Sequence, residues 1–595
     1  MLQSLLHRGP DGEGCWHNES QTVLLGHRRL AIIDLSEAAS QPMHYANRYT
    51  IVHNGEIYNY TELKDFLKQQ GYSFYTKSDT EVITAAYDYW KEKCLQQFEG
   101  MFAFAIWDEK EQQLFAARDR FGEKPFYYFD NENYFLFASE MKALWAAGVE
   151  KNIDDKMLLN YLALGYVQNA SAKEQTFYTN IYSLPPAHYL VYQRTAQKLG
   201  IKKYWSLDKD SQRAISEPAA LEKFTSLFTT SVIRRLRSDV TLGTSLSGGL
   251  DSASIAATIQ ELLNQPGSLK TFSAVFPGFE KDESGYIDLL TEKLNLQNFK
   301  IQPAADDFIK NFETLCHHQE EPFVSSSLFA QYKVFELAKQ QQVKVLLDGQ
   351  GADEILAGYH KYIHWYLQEV MSHHSAGDAK KAMKTLRQNQ IPFSWGIRNY
   401  FAAYLPMHAA MRLERKEYQK IMAQPDITPE FLRLQRGKEW EGIHKTPVNK
   451  LNDILHYNTI ETGLEELLRY ADRNSMAHGR EVRLPFLDHT LVEFVFSLPS
   501  SLKINNGYTK WLLRKAMEKK LPAAITWRKD KTGYEPPQQQ WMEDKIFQDY
   551  LHEAKRKLVD KKILQPKVLS KKTVPKSAIA DNNFDWRYLC AAQII

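Results

Sequence analysis

The hydrophobic pattern divides the chain into two parts with different predicted secondary structure. Up to about residue 207, short apolar runs such as 22–25, 49–52, 101–107 and 114–117 alternate with turn residues, which predicts β-strands. Two helices are predicted among them, one over residues 60–70 and one over 82–91, after the cap sequence Ser78-Asp79-Thr80-Glu81. Strands with segregated helices indicate an α+β domain.

The second part begins after a polar stretch at 208–220, which we interpret as a linker. Apolar residues at helical spacing follow, and then a predicted strand at 240–246, a glycine-rich loop and a helix at 253–263. Further buried strands are predicted at 271–276 and 343–347, each between helices. This alternation is typical of a parallel sheet wrapped by helices, and the pattern from about 356 to 595 is chiefly helical. We therefore predict two domains, 1–207 and 208–595.

Composition and charge narrow the class of protein. Hydrophobic residues make up 44% and charged residues 25%, which excludes a wholly disordered or fibrous chain. The 74 Lys and Arg nearly balance the 72 Asp and Glu, so the average charge predicts neither bulk nucleic-acid nor membrane binding. Four scattered cysteines form no CxxC pair, and neither a signal peptide nor a membrane-spanning run is recognisable. These features predict a soluble cytoplasmic protein.

The strongest chemical signal is the segment Ser247-Gly248-Gly249-Leu250-Asp251-Ser252, between a predicted strand and a predicted helix. Its glycines allow backbone N–H groups to surround an oxyanion, and the helix N-terminus adds partial positive charge. Because no Gly-Lys-Ser/Thr follows, the segment is not a Walker loop, which disfavours simple γ-phosphoryl transfer. The alternative is an ordinary tight turn, but Asp251 and Ser252 after an apolar strand favour nucleotide binding.

This hexapeptide resembles the pyrophosphate loop of the PP-loop ATP pyrophosphatases, and nearly the whole chain resembles glutamine-hydrolysing asparagine synthetases. Several motifs carry the resemblance in the family's order: His7-Arg8-Gly9-Pro10-Asp11, Gly26-His27-Arg28-Arg29-Leu30, Asn54-Gly55-Glu56-Ile57-Tyr58-Asn59, Ser78-Asp79-Thr80-Glu81, Arg118-Asp119-Arg120-Phe121-Gly122, Gly351-Ala352-Asp353-Glu354 and Arg483-Leu484-Pro485-Phe486-Leu487-Asp488. The resemblance implies an N-terminal-nucleophile amidotransferase sandwich, incomplete at its N-terminus, followed by an α/β PP-loop domain with a helical C-terminal part.

The resemblance further implies that ATP activates the β-carboxylate of aspartate as an acyl-adenylate, after which ammonia attacks to give asparagine. A carboxylate is a poor electrophile until its oxygen leaves readily, so such a site must hold pyrophosphate and neutralise its charge. Donors to pyrophosphate would be Ser247, Gly248, Gly249 and Ser252. Asp251 and Asp353 would bind Mg²⁺. Leu246, Ala274, Asp348 and Gly349 would line the adenosine pocket.

Three details of this part stay open. The glycines of residues 348–354 are also compatible with a plain strand-to-helix turn whose acids are helix N-terminal charges, and Gln350 stands where many family members have an acidic residue. A basic family motif matches residues 528–534 with one residue extra, so either Lys529 or Lys531 contacts the adenylate, and we choose Lys531. Arg473 and Arg483 either clamp substrate carboxylates or pair with neighbouring acids such as Asp472 and Glu481.

The first part resembles a glutaminase domain, in which an N-terminal Cys uses its own amine as general base. The resemblance implies that Arg28 binds the glutamine carboxylate, Asp79 its amino group, and Asn54 and Gly55 the oxyanion, with Glu56 in the substrate-binding stretch. Asn-Gly alone is equally typical of a β-hairpin turn.

The nucleophilic Cys is not found in the sequence, which begins seven residues before the Arg8-Gly9-Pro10 stretch that family members reach only later. Cys15 is internal and has no free amine. We expect either a longer native protein or lost glutaminase chemistry, and the intact Arg28, Asn54, Gly55 and Asp79 favour the former. Nitrogen would then come from glutamine in the intact protein and from ammonia in the chain beginning at Met1.

Two other functions remain compatible with these residues. One is a related amidotransferase that aminates a different carboxylate, in an antibiotic, a peptide or a cell-envelope precursor. The other is a non-catalytic protein that senses glutamine or nucleotide, which the complete 247–252 loop and Asp353 disfavour. The resemblance also implies a homodimer.

Overall fold

Antiparallel sheets form the first part of the chain, as the apolar runs predict. The computed structural model describes residues 1–265, 267–373, 376–438, 440–529 and 535–595. The strands are β1 (Gly12–His17), β2 (Leu24–Arg29), β3 (Met43–Tyr45), β4 (Tyr49–Ile57), β5 (Gly100–Asp108), β6 (Gln113–Arg118), β7 (Tyr127–Asp130), β8 (Phe135–Ala138), β9 (Tyr182–Ser183), β10 (His188–Gln193) and β11 (Lys198–Lys203). They pair as β1-β2, β11-β10-β6-β5-β4-β3 and β8-β7-β9.

The central sheet of this part is covered on both faces. Along β5, Phe102 and Phe104 belong to one apolar core, whereas Ala103 and Trp107 belong to another. Side chains alternate between faces along a strand, so two cores sandwich this sheet. The helices are α1 (Tyr60–Gln69), α2 (Asp79–Trp90), α3 (Met141–Ala146) and α4 (Asp155–Leu164). Ser78 caps α2 as predicted, because its side chain accepts a hydrogen bond from the Thr80 amide.

A parallel sheet organises the second part, in the order β14-β13-β12-β15-β16. Its strands are β12 (Leu242–Ser245), β13 (Lys270–Ala274), β14 (Gln297–Ile301), β15 (Val345–Leu347) and β16 (Glu481–Arg483). The prediction of a parallel sheet is confirmed, although β12 is shorter than expected and β16, from the region predicted to be helical, adds an edge strand. After β12 the chain adds β13 and β14 on one side of this strand, and it then adds β15 and β16 on the other side. The strand order therefore reverses between β12 and β15. In open parallel sheets, ligands bind at such a point, beside the carboxyl ends of the strands.

Helices surround this sheet and form the rest of the second part. They are α5 (Glu217–Arg235), α6 (Leu250–Leu263), α7 (Ser284–Leu294), α8 (Ala305–Gln319), α9 (Ser327–Gln340), α10 (Ala352–Ile355), α11 (Tyr362–His373), α12 (Ala376–Gln388), α13 (Ile397–Tyr404), α14 (Pro406–Met422), α15 (Pro429–Leu434), α16 (Leu451–His456), α17 (Leu464–Ala477), α18 (His489–Phe496), α19 (Trp511–Met517), α20 (Ala523–Thr526), α21 (Gln538–Trp541), α22 (Lys545–Asp560) and α23 (Phe584–Ala591). No helix in the described ranges has both the length and the apolar character needed to cross a bilayer.

Candidate functional site

The loop after β12 turns sharply into α6 and leaves donors uncovered. Gly248 has a φ of +77°, a conformation that favours glycine. The side-chain hydroxyls of Ser247 and Ser252 lie 3.2 Å apart, which closes the loop. Gly249 is the N-cap residue of α6 and has no side chain that could cap the helix, so the helix N-terminus can face an anion. This geometry agrees with the predicted phosphate loop.

Two acidic residues beside this loop converge on one lysine. The Lys510 Nζ lies 2.5 Å from Asp251 Oδ2 and 2.6 Å from Asp353 Oδ1. Burial by itself lowers the pKa of Lys510, but the two carboxylates outweigh it and raise the pKa above its ordinary value. Lys510 was not among the sequence candidates, because it lies in no recognisable motif. Among the described residues, no group of three or more His, Cys, Asp or Glu is arranged to hold a metal.

Two glycines allow this cluster to form. A Cβ on Gly349 would lie 2.8 Å from the Asp251 Cβ, so the loop after β15 can approach α6 only with glycine there. A Cβ on Gly358 would lie 1.8 Å from Asp353 Oδ1 and 2.2 Å from the Lys510 Cε. Position 349 therefore requires glycine for steric reasons. A side chain at Gly358, which did not stand out in the sequence, would instead displace the ends of the Asp353 and Lys510 side chains.

The predicted adenosine residues lie at the carboxyl ends of neighbouring strands. Leu246 follows β12 and is buried, and its carbonyl accepts a hydrogen bond from the Ser273 hydroxyl at 2.6 Å. Ala274 ends β13 and is also buried. Asp348 follows β15 and accepts a hydrogen bond from the Gly349 amide at 2.6 Å. Burial raises the pKa of Asp348 to about 6, and nearby Asp251 acts in the same direction.

Three further residues that the sequence singles out near this edge of the sheet are Lys531, Lys529 and Gln350. Lys531 lies outside the described residues, so its predicted contact with the adenylate stays a prediction. Lys529 is exposed, and its carbonyl oxygen lies 2.9 Å from the His360 Nε2. The Gln350 Oε1 is buried and has no hydrogen-bond partner among the described residues.

The first part contains a cavity of about 750 Å³ that gathers all five predicted glutamine-binding residues in its lining: Arg28, Asn54, Gly55, Glu56 and Asp79. Three of these residues lie on β4, which continues to Ile57, so Asn54 and Gly55 are inside a strand and the hairpin-turn interpretation is wrong. Gly55 has a φ of +131°, and a Cβ there would lie 2.0 Å from the Met101 carbonyl oxygen. Glycine at this position is therefore a requirement of the strand pairing.

Acidic side chains at the base of this cavity are buried together. Burial raises the pKa of Asp79 to about 6, although its Oδ2 accepts a hydrogen bond from the Ile57 amide at 2.8 Å. Burial also raises the pKa of Glu56, and Asp79 and Glu481 raise it further. Protonation of Glu56 is therefore favoured beside these two carboxyl groups.

Arg28 and Cys15 also line this cavity. The Arg28 guanidinium pairs with Glu13 and donates to the Leu2 carbonyl at 3.1 Å, so a ligand carboxylate would compete for this cation. Cys15 lies within β1, where it pairs with Gly26 across the two-stranded sheet. Its amide is therefore part of the chain and cannot act as the free amine that an N-terminal nucleophile uses.

Arg473 and Arg483 are each paired with buried carboxylates, which supports the alternative that they pair with acids, and their role as a clamp on substrate carboxylates stays a prediction. Arg473 is buried and pairs with Glu140 at 3.0 Å and with Glu320 at 2.7 Å. Arg483 is buried and donates to Glu481 at 2.8 Å, as the alternative predicted. Both cations are paired because an unpaired buried charge is costly.

Charged side chains also join the two parts of the chain. Arg8, from the first sequence motif, donates to both carboxylate oxygens of Asp472 on α17, at 2.8 and 3.0 Å. It also donates to Glu140 at 2.9 Å, and Glu140 in turn pairs with Arg473. The His-Arg-Gly-Pro-Asp motif therefore contributes to the contact between the parts as well as to the cavity.

Comparisons with known proteins agree with this architecture. The asparagine synthase family model matches residues 223–591, and a glutamine amidotransferase domain model matches 1–205. Asparagine synthetase [glutamine-hydrolyzing] 1 of Bacillus subtilis is 32% identical, over 92% of this chain and 84% of that protein. A putative asparagine synthetase of Methanocaldococcus jannaschii is 32% identical, over 79% of this chain and 90% of that protein. The amidase chry2 of Gibberella zeae is 29% identical, over 91% of this chain and 85% of that protein.

Among solved structures, the chain matches a glutamine phosphoribosylpyrophosphate amidotransferase from B. subtilis at 15% identity, over 59% of this chain and 77% of that one. The TM-score of this match is 0.27. The asparagine synthase family model covers more than half of this sequence. Asparagine synthetase 1 of B. subtilis matches 92% of this chain. The chain belongs to the asparagine synthase family.

Proposed function

We propose that this protein synthesises L-asparagine from L-aspartate and ATP through a β-aspartyl-adenylate, with pyrophosphate as the leaving group. The observation that carries the proposal is the cluster of Asp251, Asp353 and Lys510 beside the uncapped N-terminus of α6. Such a site combines donors for phosphate oxygens with carboxylates for a cation, at the sheet edge where nucleotides bind. The synthetase domain would cover residues 208–595 and the glutaminase domain 1–207.

The residues of the synthetase site have complementary roles in this proposal. Leu246, Ala274, Asp348 and Gly349 would surround adenosine, whereas Ser247, Gly248, Gly249 and Ser252 would donate to pyrophosphate. The Lys510 ammonium would interact with phosphate oxygens as well as with the two carboxylates. Lys531 would stabilise the charge of the adenylate. Stabilising pyrophosphate as it leaves favours transfer of AMP to the β-carboxylate, and ammonia would then attack the β-carboxyl carbon and displace AMP.

Mg²⁺ fits the two carboxylates at this site. Asp251 and Asp353 each place an oxygen within 2.6 Å of one ammonium nitrogen, so a single cation can contact both. Carboxylate oxygens are the ligands that Mg²⁺ prefers, usually one or two together with phosphate oxygens. When bound, the ion would neutralise phosphate charge during formation of the adenylate.

Glutamine is the proposed nitrogen donor, with ammonia as an alternative source. Arg28 would bind its carboxylate, Asp79 its amino group, and Glu56 would border the substrate. The Asn54 amide and the Gly55 N–H would stabilise the oxyanion formed during hydrolysis. We further propose a cytoplasmic homodimer, as the family resemblance implies.

The test is an assay of the purified protein with ATP, Mg²⁺, aspartate and ammonium. We expect equal amounts of pyrophosphate and asparagine, and Asp251→Ala should remove most of the activity because the cation loses a charged ligand. Glu261→Gln, an exposed change on the same helix, is the control. Pyrophosphate release that does not depend on aspartate would indicate a different acceptor, and phosphate as the product would contradict adenylation.

The nitrogen source requires a second assay, in which glutamine replaces ammonium and glutamate is measured. Cys15 lines the cavity but has no free amine, so this polypeptide should make asparagine with ammonium and release glutamate only at the background rate. Cys15→Ser should change neither rate. Strong glutamate release that Cys15→Ser abolishes would show that Cys15 is the nucleophile, and no turnover with either donor would favour a sensing protein.

A further inference from the structure

An unusual apolar stripe faces solvent on α13. Ile397, Tyr400, Phe401 and Tyr404 stand at positions i, i+3, i+4 and i+7, the spacing that normally directs apolar residues into a core. Here Ile397 is 85% exposed and Tyr404 60% exposed, and the two residues between them are also exposed. The apolar stripe of α13 therefore faces solvent instead of a core.

The exposed stripe continues on the next helix. Only Leu405 separates α13 from α14, and Leu405, Met407 and Met411 are exposed as well. We define the exposed apolar patch by its seven residues: Ile397, Tyr400, Phe401, Tyr404, Leu405, Met407 and Met411. Scattered exposed apolar residues are normal on soluble proteins, whereas a concentration of this kind marks a contact surface.

Positive charge is concentrated in the same region. Residues 377–423 contain nine Lys and Arg but only three Asp and Glu, whereas the remaining chain has 65 basic and 69 acidic residues, out of 74 and 72 in total. Arg412, Arg415 and Lys416 on α14 are exposed and have no ion-pair partner among the described residues. The near-neutral average of the whole sequence conceals this local excess.

We propose that α13 and α14 bind the surface of an anionic lipid bilayer, with the exposed apolar patch in the headgroup region and the basic side chains on lipid phosphates. Aromatic residues, methionines and flanking basic residues on a helix too short to span are typical of helices that lie in the plane of a membrane. Long basic side chains can extend from such a helix to the headgroups while their methylene groups cover apolar surface.

The charge favours a membrane over a second copy of the chain. A symmetric contact between two copies would place the same basic surface opposite itself, and like charges across an interface are unfavourable. Anionic lipids instead complement the excess of positive charge, with a contribution from each basic residue near the surface. The proposal concerns a face formed by α13 and α14 and does not depend on the proposed function.

The experiment is co-sedimentation of the full chain with vesicles of two compositions, phosphatidylcholine alone and equal parts of phosphatidylcholine and phosphatidylglycerol. We expect binding to the anionic vesicles that weakens as salt is raised, and little binding to the neutral ones. The combined change Ile397→Gln, Tyr404→Gln and Met411→Gln should reduce binding by about tenfold or more. Arg412→Gln with Arg415→Gln and Lys416→Gln should reduce it by about 100-fold.

The matched control is Tyr75→Gln with Ile579→Gln, two residues that are exposed to a similar extent outside the patch. This control should bind vesicles as the unchanged protein does, and all three variants should keep their thermal stability because the altered side chains are exposed. Equal binding to both kinds of vesicle, or unchanged binding by the patch variant, would overturn the proposal. Sedimentation velocity showing that the patch variant dissociates an oligomer would assign the patch to self-association instead, which also overturns it.

Discussion

Asp251 and Asp353 direct their carboxylates at the same ammonium group although they belong to two different helices, α6 and α10. The shared cation is Lys510, immediately before α19, so three separate segments meet at one point. The two carboxylates and the ammonium therefore depend on the relative placement of α6, α10 and the residue before α19.

Replacement of Lys510 by Met should reduce pyrophosphate release by about 100-fold, because a buried positive charge beside the phosphates is lost. Lys515→Met is the matched control, since this lysine is on α19 and pairs with Glu518. Initial rates at saturating ATP, aspartate and ammonium measure the effect. If the Lys510 and Lys515 variants have equal rates, Lys510 has no part in adenylation.

Gly358→Ala should reduce activity to a similar extent without a change in any charged residue. The added Cβ would overlap Asp353 Oδ1 and the Lys510 Cε, so the carboxylate and the lysine must separate. Gly396→Ala is the control, because a Cβ there meets no atom of the described residues within 4 Å. We expect a higher KM for Mg²⁺–ATP in the Gly358 variant only, and equal constants in the two variants would contradict this account.

Asp348→Asn should stabilise the protein at pH 7.5 but not at pH 4. Burial raises the pKa of Asp348 from 3.8 to about 6, so the folded state binds more protons than the unfolded state between these values. The contribution of this carboxyl group to stability therefore falls as pH rises from about 4 to 6, and it stays low above that range.

Asparagine does not ionise, so the variant avoids this loss, and its melting temperature at pH 7.5 should exceed that of the unchanged protein by about 2–6 °C. Thermal unfolding at both pH values measures the difference. A difference that is equal at pH 4 and pH 7.5 would show that the ionisation of Asp348 is not its cause.

Arg8→Ala should destabilise the contact between the two parts of the chain by about 3–5 kcal/mol, because it leaves Asp472 and Glu140 buried with fewer cations. We expect an earlier unfolding transition for the first part in calorimetry. Arg213→Ala, at an exposed position, should melt like the unchanged protein. An Arg8 variant that also melts like the unchanged protein would remove the basis for this interpretation.

The features that sequence reasoning recovers are those encoded by neighbouring residues. Strand and helix periodicity predicted the parallel sheet, and the glycines at 248 and 249 predicted the turn into α6, because each depends on a short segment. The motif around Asn54 required more than local pattern, since Asn-Gly favours a hairpin and only the pairing of β4 with β5 keeps it inside a strand.

Lys510 and the partners of Arg473 could not be predicted in this way. Lys510 is 259 positions from Asp251, and no spacing rule connects residues that only the folded sheet brings together. Arg473 stands next to Asp472 in sequence but pairs with Glu140 and Glu320, because adjacent residues of a helix point in different directions.

The paired charges around Arg8 have a consequence for chimaeric enzymes. A donor glutaminase domain joined to α17 of this chain would need its own counterparts of Arg8 and Glu140. Otherwise Asp472 would lose its ion pair with Arg8 and Arg473 its ion pair with Glu140, and the loss of these buried pairs would weaken the contact between the grafted domain and this chain. The two parts of the chain can therefore be exchanged between relatives only if the residues that pair across the contact are matched. The first criterion for choosing a donor is compatibility at positions 8, 140, 472 and 473.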